Sequence, residues 1–373
     1  MKTALNLIKN NAVFLIAITL ATITAFIIPP DEKYISYFDF STLCCLLGTL
    51  AVVEALSDVR FFEILARKIV QKFKNMRAVT FALVFITYFG SMVMANDMAL
   101  ITFLPLGYFV LTKTNKREKT AFVFIMQNIA ANLGGMLTPF GNPQNLYLYS
   151  KYSIPTGEFM LIMLAPFIAA FLGIVACCFF VKPEPVEIAD DPTLKVDKVR
   201  TAIYLILFAV SVASVLRIFP YYIGIAVALV GIAVLDVKAF RHVNYGLILT
   251  FCAFFVFSGN MARIEWVNRV IGGLLSKNTL FFSVLSCQVI SNVPSATLLC
   301  RFTDNYRALL RGVNIGGLGT PIASLASLIT LSSYKSGGEK VGKYLALFSA
   351  INFGFLAALY AVCVCFYQQF AFR

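Results

Sequence analysis

Two short polar clusters interrupt apolar stretches of this sequence, and both have residue types able to hold ions. One is Ala95-Asn96-Asp97-Met98, inside an apolar run from Ala78 to Thr112; the other is Ser291-Asn292-Val293-Pro294. An asparagine offers both an amide oxygen and amide hydrogens, so it can meet a cation or an anion. Asp97 adds a carboxylate, able to ligate a hard cation or to carry a proton. Near a bilayer midplane a carboxylate costs about 2.5–3.5 kcal/mol on insertion scales, which makes it a functional candidate. The plainer reading is a cap on the helix that follows.

The placement of Asp97 follows from the charges around it. Lys72, Lys74 and Arg77 precede the apolar run, and Lys113, Lys116, Arg117 and Lys119 follow it. Positive residues flank membrane segments on the cytoplasmic side, so both ends face the cytoplasm. The run is about 35 residues, more than one span of about 20 and short of a there-and-back pair. A re-entrant helical hairpin with Asn96 and Asp97 at its tip satisfies both constraints.

Composition sets the class. The 373 residues are 60% hydrophobic and 13% charged, with a mean hydropathy of +0.83. Runs such as Ala12–Ile28 are apolar all round and do not alternate, so an all-α polytopic membrane protein is expected, not a soluble domain or a barrel. The net charge of +13 sits mainly between apolar runs, as the orientation rule requires, and predicts no nucleic-acid partner. The first apolar segment runs into Pro29-Pro30 without a small-residue cleavage site and reads as a retained helix. The nine cysteines lie mostly in apolar segments without Cys-x-x-Cys spacing and read as packing residues.

Along the chain, Lys2 and Lys9 place the N-terminus inside, with Ala12–Ile28 crossing outward and Phe38–Leu56 returning. Asp58–Lys74 has the spacing of an amphipathic surface helix. After the hairpin comes Ala121–Tyr149, broken at Asn132-Leu133-Gly134-Gly135-Met136-Leu137-Thr138-Pro139-Phe140-Gly141-Asn142-Pro143-Gln144-Asn145. Two prolines and three glycines free backbone groups here, tolerated at membrane depth only inside protein or along a cavity. Phe159–Val181 crosses back, and Lys182–Arg200 reads as a polar cytoplasmic linker. Ala202–Phe219, Tyr221–Leu235 and Leu247–Met261 follow as spans, and Val341–Phe366 closes the chain with Arg373 outside. The expected divisions are an N-terminal helix (1–37), a first repeat (38–181), the linker (182–200), two connecting helices (201–245) and a second repeat (246–373).

The repeat is the strongest signal. Asn132 through Leu146 aligns without gaps on Asn314 through Leu328, matching Gly134-Gly135 with Gly316-Gly317 and Thr138-Pro139 with Thr320-Pro321. Asn96 aligns with Asn292 upstream, and Glu63 and Arg67 with Glu265 and Arg269. With one hairpin opening from each side the halves are inverted, and each carries a discontinuous helix. In such proteins solute and ion sites lie at the repeat interface, where half-helix N-termini favour anions and unwound carbonyls hold cations.

These residues resemble the ion transporter superfamily: the citrate-transporter-like and divalent anion/sodium symporter group, with its arsenite-permease and sodium/proton-antiporter relatives. The resemblance runs from Phe38 to the C-terminus. It implies a scaffold and a mobile transport domain moving as an elevator, commonly in a homodimer, with no cofactor. By that likeness Asn96, Asp97, Thr138, Asn142, Asn145, Ser291, Asn292 and Thr320 are the substrate-site candidates. Sodium, the candidate bound ion, would lie among Asn96, Asp97, Asn132, Gly134, Gly141, Asn292, Asn314, Gly316 and Ser324. The tips depart from the Ser-Asn-Thr of dicarboxylate carriers, since Asp97 and Val293 replace the threonines. Asn-Asp looks more like the arsenite and sodium/proton branches, whereas Asn142, Gln144 and Asn145 supply amide donors suited to an anion. Arg301, Arg307 and Arg311 follow the second tip, with loop positions expected for the last two.

The expected function is therefore secondary active transport of a small carboxylate or oxyanion across the plasma membrane, coupled to sodium or protons. Cation/proton antiport or arsenite efflux is the alternative within transport, and a channel the alternative outside it. An intramembrane aspartyl protease needs a second carboxylate beside Asp97. Asp236 and Asp304 look loop-proximal, and His242, the one histidine, falls in a basic loop.

Overall fold

In the computed structural model, which describes residues 12–186, 197–338 and 341–370, the described residues form helices, turns and a single antiparallel bridge between Asn75 and Pro185. In order they are α1 (Ala12–Ile27), α2 (Phe40–Asp58), α3 (Phe61–Val70), α4 (Met76–Val93), α5 (Asn96–Lys113), α6 (Thr120–Gly134), α7 (Pro143–Lys151) and α8 (Thr156–Phe179). Then come α9 (Lys198–Val215), α10 (Tyr221–Asp236), α11 (Tyr245–Ala262), α12 (Glu265–Ile290), α13 (Asn292–Leu299), α14 (Tyr306–Ile315), α15 (Leu325–Ser336) and α16 (Val341–Phe370). Nine helical stretches among the described residues are long and apolar enough to cross a membrane. This is the architecture of a polytopic membrane protein.

The run from Ala78 to Thr112 folds as a helix–turn–helix. Asn75 caps α4 by accepting the Ala78 N–H at 2.9 Å, and the chain reverses at Met94-Ala95 before α5 begins at Asn96. Pro105 lies inside α5, so that helix lacks one backbone donor. The second such unit differs in its first arm: α12 carries a break at Asn278 (φ −160°, ψ 91°) that separates the Glu265 end from the arm leading to Ser291. The amphipathic stretch around Arg269 is thus set off from the hairpin arm by the kink at Asn278, as its counterpart α3 is by the turn before α4. Only in α3 does the i,i+4 pair close, Arg67 to Glu63 at 3.0 Å.

The interrupted segments break where expected. In the first half α6 ends at Gly134, a 3-10 turn spans Gly135–Leu137, and α7 starts with Pro143 in its first turn, where a missing N–H is harmless. In the second half α14 ends at Ile315 and α15 starts after Ser324, whose hydroxyl accepts the Ala326 N–H at 3.2 Å. Gly134 is required by close approach: a Cβ there would lie 2.1 Å from the Tyr88 carbonyl oxygen of α4.

The ends of the first hairpin are tied to the chain beyond α8. Met76 N–H donates to Glu184 O at 2.8 Å, Val186 N–H to Lys74 O at 3.0 Å, and Arg77 Nε to Val181 O at 2.7 Å. Lys116 pairs with Glu184 and holds its carboxyl below the usual range. The expected linker therefore begins as an ordered strap, and it ends at Asp197 because Lys198 already starts α9. Residues 187–196, and the charges at Lys2, Lys9 and Arg373, lie outside the described residues. The nine cysteines are free thiols.

Candidate functional site

The two hairpin tips meet the two broken segments through matching hydrogen bonds. Asn96 N–H donates to Gly141 O at 3.1 Å, and Asn292 N–H donates to Ala323 O at 2.9 Å, the aligned pair. Thr138 Oγ1 donates to Met92 O at 2.8 Å, and Thr320 Oγ1 to Gln288 O at 3.3 Å. Each tip asparagine turns its Oδ1 onto the next amide: Asp97 N at 3.0 Å, Val293 N at 2.9 Å. The Asn96–Gly141, Asn292–Ala323, Thr138–Met92 and Thr320–Gln288 partners are distant in sequence, so those bonds are tertiary contacts repeated in both halves.

The halves also exchange partners with each other. Ser324 donates its hydroxyl to Asn132 Oδ1 at 2.8 Å, and Asn142 donates Nδ2 to Asn314 Oδ1 at 3.2 Å. Asn314 donates in turn to Asn145 Oδ1 at 2.6 Å. Asn96 Nδ2 reaches the same Asn132 oxygen at 3.2 Å. Asn292 arrives from the other side: a Cβ added to Gly317 would touch Asn292 Nδ2 at 2.9 Å and Asn132 Oδ1 at 3.6 Å. Asn96, Asn132, Asn142, Asn145, Asn292, Asn314 and Ser324 are all buried, so each unmet polar group among them would cost about 1–3 kcal/mol. Pairing across the halves offsets that cost and fixes both broken segments in one place.

Four helices begin at this network: α5 at Asn96, α7 at Pro143, α13 at Asn292 and α15 at Leu325. Each N-terminus carries roughly half a positive charge, which suits an anion. The carbonyls of Gly141 and Ala323 are held by the tip amides, and Asn142 Oδ1 is buried without a hydrogen-bond partner. Neutral oxygens of this kind, with the Asp97 carboxylate, fit a hard monovalent cation. Among the described residues no group of three or more His, Cys, Asp or Glu side chains is gathered that would hold a transition metal.

Asp97 is 6% exposed, and its carboxylate meets no hydrogen-bond donor or cationic group among the described residues. It does not cap α5, which follows Ala95 without a side-chain cap; its own N–H donates to Asn96 Oδ1. A carboxylate left this way is stable only with a proton or a cation beside it.

Several expectations change on contact with the structure. The amides of Asn142 and Asn145 are not free for an anion. Asn142 Nδ2 bonds to Asn132 O and Asn314 Oδ1, and Asn145 Nδ2 faces the carbonyls of Gly135, Met136 and Thr138 at 3.2–3.4 Å. They hold the unwound backbone in shape. Ser291 sits at the second tip with φ +73° and faces Ala323 O at 3.4 Å. Arg311 is not in a loop: it lies on α14, 4% exposed, donating Nε to Ile162 O at 3.1 Å. Arg307 is the second residue of that helix and pairs with Glu158 at 2.7 Å. Arg301 donates to Tyr37 O at 2.9 Å.

Two contributors were missed. Gln288 donates Nε2 to Gly316 O and Leu318 O, both at 2.9 Å, and takes the Thr320 N–H on Oε1 at 2.9 Å, pinning the second broken segment. Asn128 joins Ser327 and Thr330 of α15, both at 3.3 Å. The available signal for Asn128 was its place one turn ahead of Asn132, beside Gln127 in an otherwise apolar stretch.

The chain is 32% identical over 336 residues to the uncharacterized transporter MJ0456 of Methanocaldococcus jannaschii, covering 90% of this chain and 92% of that one. It is 28% identical to the inner membrane protein YbiR of Escherichia coli, over 88% and 89% of the two chains. A shorter likeness, 30% over 149 residues, covers 40% of this chain and 30% of the silicon efflux transporter LSI3 of Oryza sativa subsp. japonica. The model of the citrate transporter family matches residues 4–308. With most of the chain inside that match, this protein belongs to the citrate transporter family of membrane transporters.

Proposed function

We propose that the chain is a secondary active transporter for a small carboxylate or oxyanion, driven by sodium or protons. The observation that carries this reading is the doubled contact of Asn96 with Gly141 and Asn292 with Ala323, with Asn96 bonded to Asn132 and both Asn132 and Asn292 flanking Gly317. The four helix N-termini bind the anion, and the unwound oxygens with Asp97 take the coupling cation. Neutralising Asp97 with that cation removes its repulsion of the anion, so the two solutes bind in concert. The halves are inverted repeats, and α4–α8 with α13–α16 move as a transport domain against a scaffold in an elevator cycle, in a homodimer within the plasma membrane. The N-terminus is cytoplasmic and the C-terminus outside.

Export is the second reading. Asp97 stands where a dicarboxylate carrier has threonine, and the likeness to LSI3 is to an efflux transporter. Proteoliposomes loaded with a pH dye and offered citrate, malate or arsenite under sodium or proton gradients separate the two. Gradient-dependent uphill uptake of an anion supports the first reading, and export-linked pH changes the second. Flux that neither saturates nor runs uphill overturns both.

A further inference from the structure

Three spaces lie one after another along α2. The first, about 430 Å³, is lined by Ser41, Thr42 and Cys45 of α2, by Ser150 of α7, and by Ser214 and Arg217 at the α9–α10 turn. The second is a gap of about 10 Å³ where Thr49 and Val53 of α2 face Ala95, Phe140 and Pro143. The third, about 350 Å³, holds Glu54 and Ser57 of α2 with Met98 and Thr102 of α5. One helix thus runs past an outer chamber, a closed neck beside the residue preceding Asn96, and an inner chamber beyond it. Leu146 lines both the outer chamber and the neck.

Arg217 gives the outer chamber its chemistry. Its backbone is left-handed at φ +60°, an uncommon state for a residue with a side chain. Nη2 donates to Tyr149 O at 2.7 Å, Nη1 to Ile154 O at 3.3 Å, and the guanidinium carbon lies 4.2 Å from the Tyr149 ring centroid. Two of its five N–H donors are used on neutral carbonyls, and no carboxylate among the described residues neutralises it. Asp39, at the start of α2, is committed to the Thr42 N–H at 3.0 Å and the Thr42 hydroxyl at 2.9 Å. Ser214 lines the same chamber with other atoms, while its hydroxyl is turned onto Gly224 of α10, where an added Cβ would lie 1.6 Å from it. Arg217 and Ile218 are exposed, so the chamber opens to the surface at the turn between two spans.

We propose that Arg217 forms an anion-capture site at the mouth of a route along α2 to the hairpin tips. This deepens the transport reading and rests on it. The ligand is a carboxylate or oxyanion, held by the remaining guanidinium hydrogens before the neck opens. A phospholipid headgroup offers the same anionic oxygens, and the test separates the two sources.

The full chain bearing Ser41→Cys is reconstituted in vesicles of phosphatidylcholine alone or with phosphatidylglycerol, and modification of residue 41 is followed by peptide-resolved mass spectrometry. The probes are an anionic sulfonate and a cationic ammonium methanethiosulfonate. With Arg217 present the anionic reagent reacts about tenfold faster than the cationic one, as a focused positive field requires, and Arg217→Gln removes that preference while Arg217→Lys keeps most of it. Equal rates for the two reagents in the wild-type background overturn the proposal. Preference lost only when phosphatidylglycerol is present assigns the site to lipid and overturns capture of a free anion. Vesicles of the Ser41→Cys protein with Arg217 intact that label selectively, while wild-type vesicles transport no anion, would refute the transport reading and leave the anion site standing.

Discussion

Ser324 donates its hydroxyl to Asn132 Oδ1 at 2.8 Å, the oxygen that also takes the amide of Asn96 at 3.2 Å. One side chain of α6 thereby joins the first hairpin tip to the second broken segment. Removing it strands two buried donors, the Asn96 amide and the Ser324 hydroxyl.

Asn132→Ala is therefore expected to lose about 1–3 kcal/mol for each stranded group, a cost that ordinary surface changes do not approach. Thermal unfolding of the detergent-solubilised protein measures it. Asn132→Asp keeps an acceptor and should recover part of the loss. A melting curve unchanged in Asn132→Ala would mean that the cross-half bonds contribute nothing to stability.

Gly134→Ala tests the close packing of the broken helix on the first hairpin. Its Cβ would lie 2.1 Å from Tyr88 O, so α6 or α4 must shift, at about 1–3 kcal/mol or more. The expected outcome is a lower melting temperature together with altered protease sensitivity at the Met94-Ala95 turn. Wild-type behaviour on both measures would show that the segments do not touch there.

His242 provides a pH test away from the membrane interior. Its Nδ1 lies 2.9 Å from Asp58 Oδ1, and that carboxylate raises the imidazole above its ordinary value of 6.5. The folded-state value is raised, so stabilisation by the pair is complete below 6.5 and is lost as pH rises through the higher folded value. A melting temperature recorded across that window should fall for the wild type and flatten for His242→Gln. Identical profiles in the two proteins would rule the pair out as a contributor.

Much of this site was legible because its chemistry conflicts with its surroundings. Asparagines, an aspartate and Gly-Pro breaks inside apolar runs have few uses there, and their recurrence in register at Asn132 and Asn314 marked both broken segments, with helix observed to end at Gly134 and Ile315 and to resume at Pro143 and Leu325. The hairpin was expected between Ala78 and Thr112 and spans Met76 to Lys113, because the basic residues at its ends bound it. Donor assignment was not legible. Asn142 and Asn145 looked like anion ligands, but which carbonyls lie within reach of their amides depends on the path of the unwound backbone. Gln288 escaped because its aligned residue is Met92, so the repeat gave no hint of it. Arg311 was placed in a loop from its charge alone; its buried position on α14 depends on the Ile162 carbonyl of a distant helix.

The central claim is that a buried carboxylate at the first tip couples a cation to an anion held between the two tips. Uptake of citrate and other small anions into proteoliposomes, driven by a sodium or proton gradient, should be lost in Asp97→Asn while the protein still elutes and melts as wild type. Asn292→Ala should lower uptake by at least about tenfold, since it removes one of the two tips. Gradient-driven uptake at wild-type rate by Asp97→Asn would contradict the account.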